Sequence, residues 1–148
     1  MKIIGTKIKD LYIIQPEPFL DNRGSFYRVF CENELKEIGF NEHIVQINQS
    51  NTIKKGSIRG MHFQYPPKAE IKLVKCLKGK IFDVAIDLRH NSTTFLKWHG
   101  EILSEENLKI MYVPKGFAHG FQTLEYNCEI LYLHSEFYSA EKEYFLLF

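Results

Sequence analysis

Cysteine is scarce in this sequence, with three among 148 residues, and Cys31, Cys76 and Cys128 are odd in number and show no C-x-x-C spacing. That excludes a disulfide framework and a thiolate metal knuckle. The three sit mostly within apolar, strand-like runs, which predicts buried thiols in a reducing compartment. There is little net charge: Lys and Arg exceed Asp and Glu by one. No broad field for nucleic acid or an anionic membrane surface results, so an anionic ligand would have to be small and locally held. Long apolar runs are absent as well. The opening MKIIGTKIKDLYIIQPEPF breaks its apolar residues with lysines and an aspartate before a signal-peptide core or a membrane span could form, and a soluble, cytoplasmic protein is expected. With no low-complexity tract, linker or fixed-period repeat, residues 1–148 are read as one domain.

What the sequence does contain is a succession of short runs rich in Ile, Val, Phe and Tyr. Each closes on a turn signal such as Asp21-Asn22-Arg23-Gly24, Lys78-Gly79-Lys80 or Pro114-Lys115-Gly116. Strands are predicted near 11–15, 25–29, 44–48, 57–63, 71–77, 81–87, 97–103, 109–113, 120–124 and 128–136. One short helix, Glu32–Ile38, is predicted to end at Gly39. So many strands beside one helix imply an all-β fold, a double-sheet jelly roll able to hold a ligand inside.

Several strands carry polar groups where alternation predicts packing. In SIRGMHFQ, a regular strand would send Arg59 and His62 to opposite faces, and only a bulge at Gly60 could turn both towards one cavity. Taken alone, His62 defaults to a structural or surface histidine. Lys72 shares a face with Val74 and Cys76, so it either snorkels or meets a carboxylate or ligand. In IFDVAIDLR Asp83, Ala85 and Asp87 alternate against Phe82, Val84 and Ile86, so Asp83 is a candidate partner for Lys72 or a histidine, whereas Asp87 and Arg89 read as a turn or surface pair. Tyr132 alternates with its neighbours in CEILYLHSEFYS, and its default is a buried tyrosine with a hydrogen-bonded hydroxyl.

The segment PKGFAHGF, with His119, resembles the second motif of the cupins. A cupin metal site would draw further ligands from the first motif, but that region offers His62 alone, with Gln64 where a second ligand would stand. No metal and no cofactor are therefore expected.

Together these segments resemble the dTDP-4-dehydrorhamnose 3,5-epimerase family, cupin-type sugar-nucleotide epimerases. The resemblance covers DNRGSFYRVF (21–30), QINQS (46–50), RGMHFQ (59–64), KLVKCLKGKIFDVAIDLR (72–89), LSEEN (103–107), YVPKGFAHGF (112–121) and the pair Tyr132 and Tyr138. It implies a metal-independent epimerase that inverts C3, C5 or both of a nucleotide-linked 4-keto-6-deoxy sugar, with His62 as base, Tyr132 as acid and Lys72 at the enolate oxygen. Such a set is what inversion next to a ketone demands. The resemblance further implies Asp83 as support for the histidine–lysine cluster and His119 as an added active-site histidine. Arg23 and Arg59 would hold the diphosphate, Gln46 and Asn48 the nucleotide, Phe26 and Tyr138 the base, and Glu143 a further contact. It implies a homodimer, with Lys2–Lys7 as the candidate for a strand exchanged between subunits.

Two departures stand out. Arg28 replaces the family's usual acidic residue, and the C-terminal segment that carries the carboxylate orienting His62 is missing after EKEYFLLF. Asp83 or a neighbouring subunit is the expected substitute. A 3,4-ketoisomerase and a non-catalytic sugar-nucleotide-binding protein are the alternatives.

Overall fold

The computed structural model describes residues 1–146. Among the described residues there are thirteen strands: β1 Lys2–Gly5, β2 Tyr12–Gln15, β3 Phe19–Asp21, β4 Gly24–Phe26, β5 Gln46–Thr52, β6 Ile58–Gln64, β7 Lys72–Lys78, β8 Lys80–Asp87, β9 Trp98–Ser104, β10 Ile110–Val113, β11 Phe117–Thr123, β12 Cys128–His134 and β13 Glu143–Phe145. They build a six-stranded sheet in the order β1-β2-β10-β7-β12-β5, a five-stranded sheet β13-β6-β11-β8-β9 and a separate hairpin β3-β4. Every pairing is antiparallel. The expected jelly roll is thus present.

Period-two alternation decides what each sheet face buries. In β8 it is complete: Ile81, Asp83, Ala85 and Asp87 are buried while the residues between them stay half-exposed. Ile81 and Ala85 join Val74 and Cys76 of β7, Leu103 of β9, Met111 and Val113 of β10, Phe117 and Phe121 of β11 and Ile130 of β12 in the core between the sheets. The opposite faces of the same strands in the six-stranded sheet, through Leu73, Ile110, Tyr112 and Leu133, pack under Leu35 and Phe40. The predicted helix accordingly covers an outer face. It runs as α1 Glu32–Leu35 and continues as a 3₁₀ turn over Lys36–Ile38. Gly39 ends it in the left-handed region at φ 83°, its N–H donating to Lys36 O at 3.0 Å.

Of the predicted strand 25–29 only Ser25 and Phe26 are strand, in the second arm of an exposed hairpin, where Asp21 Oδ1 accepts the Arg23 N–H at 2.8 Å and turns the chain back at Asn22. Strands β1, β3 and β13 had no clear apolar run to announce them. Of Lys2–Lys7, only Lys2–Gly5 is strand, and it pairs with Tyr12–Gln15 of its own chain at the edge of the six-stranded sheet. Cys76 and Cys128 are buried and Cys31 is half-buried, all three as free thiols. Among the described residues no helix is long and apolar enough to cross a membrane.

The expected irregularity at Gly60 is present. His119 pairs with His62 and Phe121 with Arg59, so two steps along β11 match three along β6. Gly60 adopts φ +107°, and a Cβ there would lie 2.6 Å from both Gly120 Cα and His119 O, so the two strands pass too closely for any other residue.

Candidate active site

At one end of the space between the sheets the alternation turns polar. The inward positions of β7 run Lys72, Val74, Cys76, and those of β12 run Ile130, Tyr132, His134. Register pairs His134 with Lys72 and Tyr132 with Val74, and on the other side Tyr132 with Asn48 of β5. His62 and Gln64 of β6 face them from the five-stranded sheet. Lys72, Tyr132, His134, Asn48, His62 and Gln64 line a cavity of about 270 Å³, its wall completed by Gln46, Gln49, Ser50, Glu70, Tyr138 and Glu143.

His62 and Tyr132 thus approach one cavity from opposite sheets. Burial pushes the His62 imidazole down to about 3, and the charges of Lys72 and His119 add to the effect. At neutral pH this ring is unprotonated and able to accept a proton. Among the described residues no carboxylate lies within hydrogen-bond reach of it. Its ring neighbours are His119 at 6.1 Å and Phe145 at 6.2 Å between centroids. The Tyr132 hydroxyl lies 3.1 Å from Ser50 Oγ. Burial pushes it up to about 12, with the Ser50 contact opposing that shift, so it stays protonated and is a proton donor.

Lys72 Nζ lies 3.1 Å from Glu70 Oε1, and Glu70 Oε2 lies 2.7 Å from His134 Nδ1. The hydrogen bond to His134 and the Lys72 charge together outweigh desolvation and keep Glu70 below the usual carboxylate range. Behind the cavity His119 Nε2 meets Asp83 Oδ1 at 2.7 Å, while His119 Nδ1 and Asp83 Oδ2 are buried without a partner. Asp83 therefore partners a histidine, as expected, but that histidine is His119 and not His62, and the partner of Lys72 is Glu70.

The cavity brings together His62, Lys72, Tyr132, Gln46, Asn48, Tyr138 and Glu143 from the sequence-based set. Tyr138 donates from its hydroxyl to Glu143 Oε2 at 2.8 Å, and its N–H donates to Gln46 Oε1 at 3.1 Å. Arg23 and Phe26 are not gathered there. They stand on the β3–β4 hairpin, with Arg23 paired to Asp21 and 85% of its side chain exposed. Arg28 is likewise outward and pairs with Glu34. Arg59 reaches across to β5, its Nε donating to Thr52 Oγ1 at 3.0 Å, and its charge lowers the proton affinity of Tyr132.

Asp87 and Arg89, read as a surface pair, form a network with Ser92, Thr94 and Asp10 in which Asp87 is fully buried. Gln64 is committed to the backbone: its Nε2 donates to Lys68 O and Phe137 O and its Oε1 accepts the Ser139 N–H. Among the described residues no group of three His, Cys, Asp or Glu side chains is placed to hold a metal. Five cavity residues were missed as site residues, Gln49, Ser50, Gln64, Glu70 and His134. Alternation with Tyr132 already put His134 on the inward face, whereas Glu70 lies in the loop before β7 and carried no periodic signal.

Comparison with known proteins gives the same direction throughout. The sequence model of the dTDP-4-dehydrorhamnose 3,5-epimerase family matches residues 5–148. The chain belongs to that family. It is 43% identical over 144 residues to the dTDP-4-dehydrorhamnose 3,5-epimerase of Shigella flexneri, spanning 97% of this chain and 79% of that one.

Crystal structures agree with that membership. The family's enzyme from Bacillus anthracis, solved with TDP and PPi bound, superposes with a TM-score of 0.95 at 41% identity, covering 99% of this chain and 84% of that one. The Legionella pneumophila epimerase in complex with dTDP-4-keto-L-rhamnose gives 0.94 at 40% identity, covering 99% and 78%. As a member of the epimerase family the chain is an isomerase of the cupin-like fold.

Proposed function

We propose that this chain epimerises a nucleotide-linked 4-keto-6-deoxy sugar at C3, C5 or both, by proton removal next to the C4 ketone and proton return from the opposite face. The observation that carries the reading is the placing of His62 and Tyr132 on opposite sheets across one cavity, with Lys72 in its wall. Burial favours the neutral imidazole of His62 and the protonated hydroxyl of Tyr132, the forms that a base and an acid need. His62 takes the carbon-bound proton and becomes imidazolium, electron density moves to the ketone oxygen as an enolate, and the Lys72 ammonium offsets that charge. Tyr132 then gives its hydroxyl proton to the carbon from the other side, and solvent resets both groups. The ligands named for the Bacillus and Legionella structures favour a dTDP-linked substrate.

A homodimer fits the remaining residues. Arg23 and Phe26 project from the chain on an exposed hairpin, where a guanidinium and an aromatic ring could serve a diphosphate and a base held by a second copy. His119 and Asp83 act from behind His62. The free thiols suit a cytoplasmic setting.

One observation favours a second reading, a sugar-nucleotide-binding protein without turnover: no carboxylate among the described residues orients His62, and such a partner normally fixes the tautomer and stabilises the imidazolium. The deciding experiment is NMR of proton-to-deuterium exchange in heavy water, with dTDP-4-keto-6-deoxyglucose generated by a dehydratase. Exchange at C3 or C5 that disappears in His62→Ala supports the epimerase. Tight binding of the same compound without exchange supports the binding protein.

A further inference from the structure

Three charged or titratable side chains lie together in the cavity wall, and two of them have no place in the mechanism above. Lys72 and His134 are cross-strand partners, and Glu70 precedes Lys72 by two residues on the same side. Two hydrogen bonds fix the junction: Ile71 N–H donates to Ser135 Oγ at 2.8 Å, and Ser135 N–H donates to Ile71 O at 3.0 Å. Glu70 gives one oxygen to each neighbour, Oε1 to Lys72 Nζ at 3.1 Å and Oε2 to His134 Nδ1 at 2.7 Å. The side chains of Lys72, Glu70 and His134 are only 5%, 9% and 11% exposed.

Burying such a group is a poor route to stability, because desolvation cancels most of the attraction and apolar residues of equal volume do as well or better. Its place in the cavity wall points to a ligand. Since the Glu70 carboxylate can only accept, the hydrogen bond assigns the ring hydrogen to Nδ1, and in the neutral ring Nε2 is then an acceptor. Among the described residues Nε2 has one hydrogen-bond contact, to the Asn48 amide nitrogen at 3.5 Å, the outer limit of such a bond. The ring plane is set by stacking on Tyr132, with centroids 6.1 Å apart and planes 25° from parallel. An oriented acceptor is therefore offered to the cavity with its lone pair barely used.

We propose that Glu70 is a positioning residue for two groups at once, holding the Lys72 ammonium at the wall and fixing His134 in the tautomer whose Nε2 accepts a hydrogen bond from a hydroxyl of the bound sugar nucleotide. The assignment of the hydroxyl rests on the sugar-nucleotide reading; the tautomer does not. Glu70→Gln is the sharpest probe. The amide oxygen can still accept from Lys72, but its NH₂ faces Nδ1 and drives the ring hydrogen to Nε2, so the acceptor becomes a donor.

Two measurements on the full chain test this. Long-range ¹H–¹⁵N spectra of the neutral histidines are expected to give His134 as the Nδ1–H tautomer, and as Nε2–H in Glu70→Gln; an Nε2–H ring in the unaltered protein overturns the proposal whatever the substrate. In the exchange assay with dTDP-4-keto-6-deoxyglucose, His134→Phe keeps the stack and loses the acceptor. It should raise KM about tenfold, as the loss of one hydrogen bond implies, and leave kcat within about twofold. Glu70→Gln should raise KM similarly and lower kcat as well, through Lys72. Unchanged KM in both variants overturns the proposal. Absence of exchange in the unaltered protein counts against the epimerase reading instead, and the tautomer spectra then decide this one.

Discussion

The space between the two sheets has two ends built from the same strands. At one end β7 contributes Val74 and Cys76, β8 Ile81 and Ala85, and β12 Ile130, closed by Leu103 and Phe121 into an apolar core. At the other end, one or two alternations along, β7 contributes Lys72 and β12 Tyr132 and His134, while on β8 Asp83 stands between the apolar Ile81 and Ala85. Backbone geometry is shared, so the contrast lies in side-chain chemistry alone. The apolar end gains stability from every buried methylene. The polar end gives that gain up for Lys72 and Glu70, which are costly to bury without partners. Burial that is merely stabilising at one end becomes, at the other, the cause of an unprotonated His62 and a protonated Tyr132.

If that division is right, substitutions at the two ends must fail differently. The largest effect is expected for His62→Ala, where loss of the base should slow exchange at the sugar carbons by about 10²- to 10⁴-fold while the thermal melting curve moves little. Exchange within a few-fold of the unaltered protein would remove His62 from the reaction. Tyr132→Phe comes next and splits the two half-reactions: inversion should fall by a similar factor, yet deuterium should still wash in on the His62 face. Equal loss of both would mean that the tyrosine is needed for proton removal too.

At the apolar end Leu103→Ala deletes a fully buried side chain. It should cost about 2–5 kcal/mol in chemical denaturation, with kcat little changed below the melting transition. A Leu103→Ala protein that folds as stably as its parent but loses exchange would break the comparison outright.

The two ends were also unequally legible. Alternation in β7, β8 and β12 is plain in the sequence, so the sandwich and the inward facing of Lys72, Asp83 and Tyr132 could be read directly. The bulge at Gly60 could be anticipated because Arg59 and His62 otherwise face apart, and the His119–Phe121 register confirms it. Partnerships were another matter. Asp83 meets His119 where β8 pairs with β11, and Lys72 and Glu70 meet His134 where the Ile71–Ser135 hydrogen bonds set the start of β7 against β12. That depends on register between strands about sixty residues apart, which no local pattern encodes. Arg23 and Phe26 match family motifs, yet within one chain they stand on an outward hairpin, a placement that no motif encodes.

The most gradual expected effect concerns pH, and it follows from burial at the polar end. An unfolded chain would protonate His62 near the ordinary 6.5, whereas the folded one waits until about 3. Between those values the unfolded state binds a proton that the native state refuses, so stability should decline as pH falls from about 6.5 towards 3 and level off below. Glu70, held low by His134 and Lys72, acts in the same direction: its contribution is present above the ordinary carboxylate range and is lost as the acid protonates it. Because His62 stays unprotonated from mildly acidic to alkaline pH, its ring resonances should show no titration step near 6.5, and exchange should not need that step to begin. A His62 resonance that titrates with a midpoint near 6.5 would mean that water reaches the ring freely, and the polar end would then owe its chemistry to its hydrogen bonds and not to its burial.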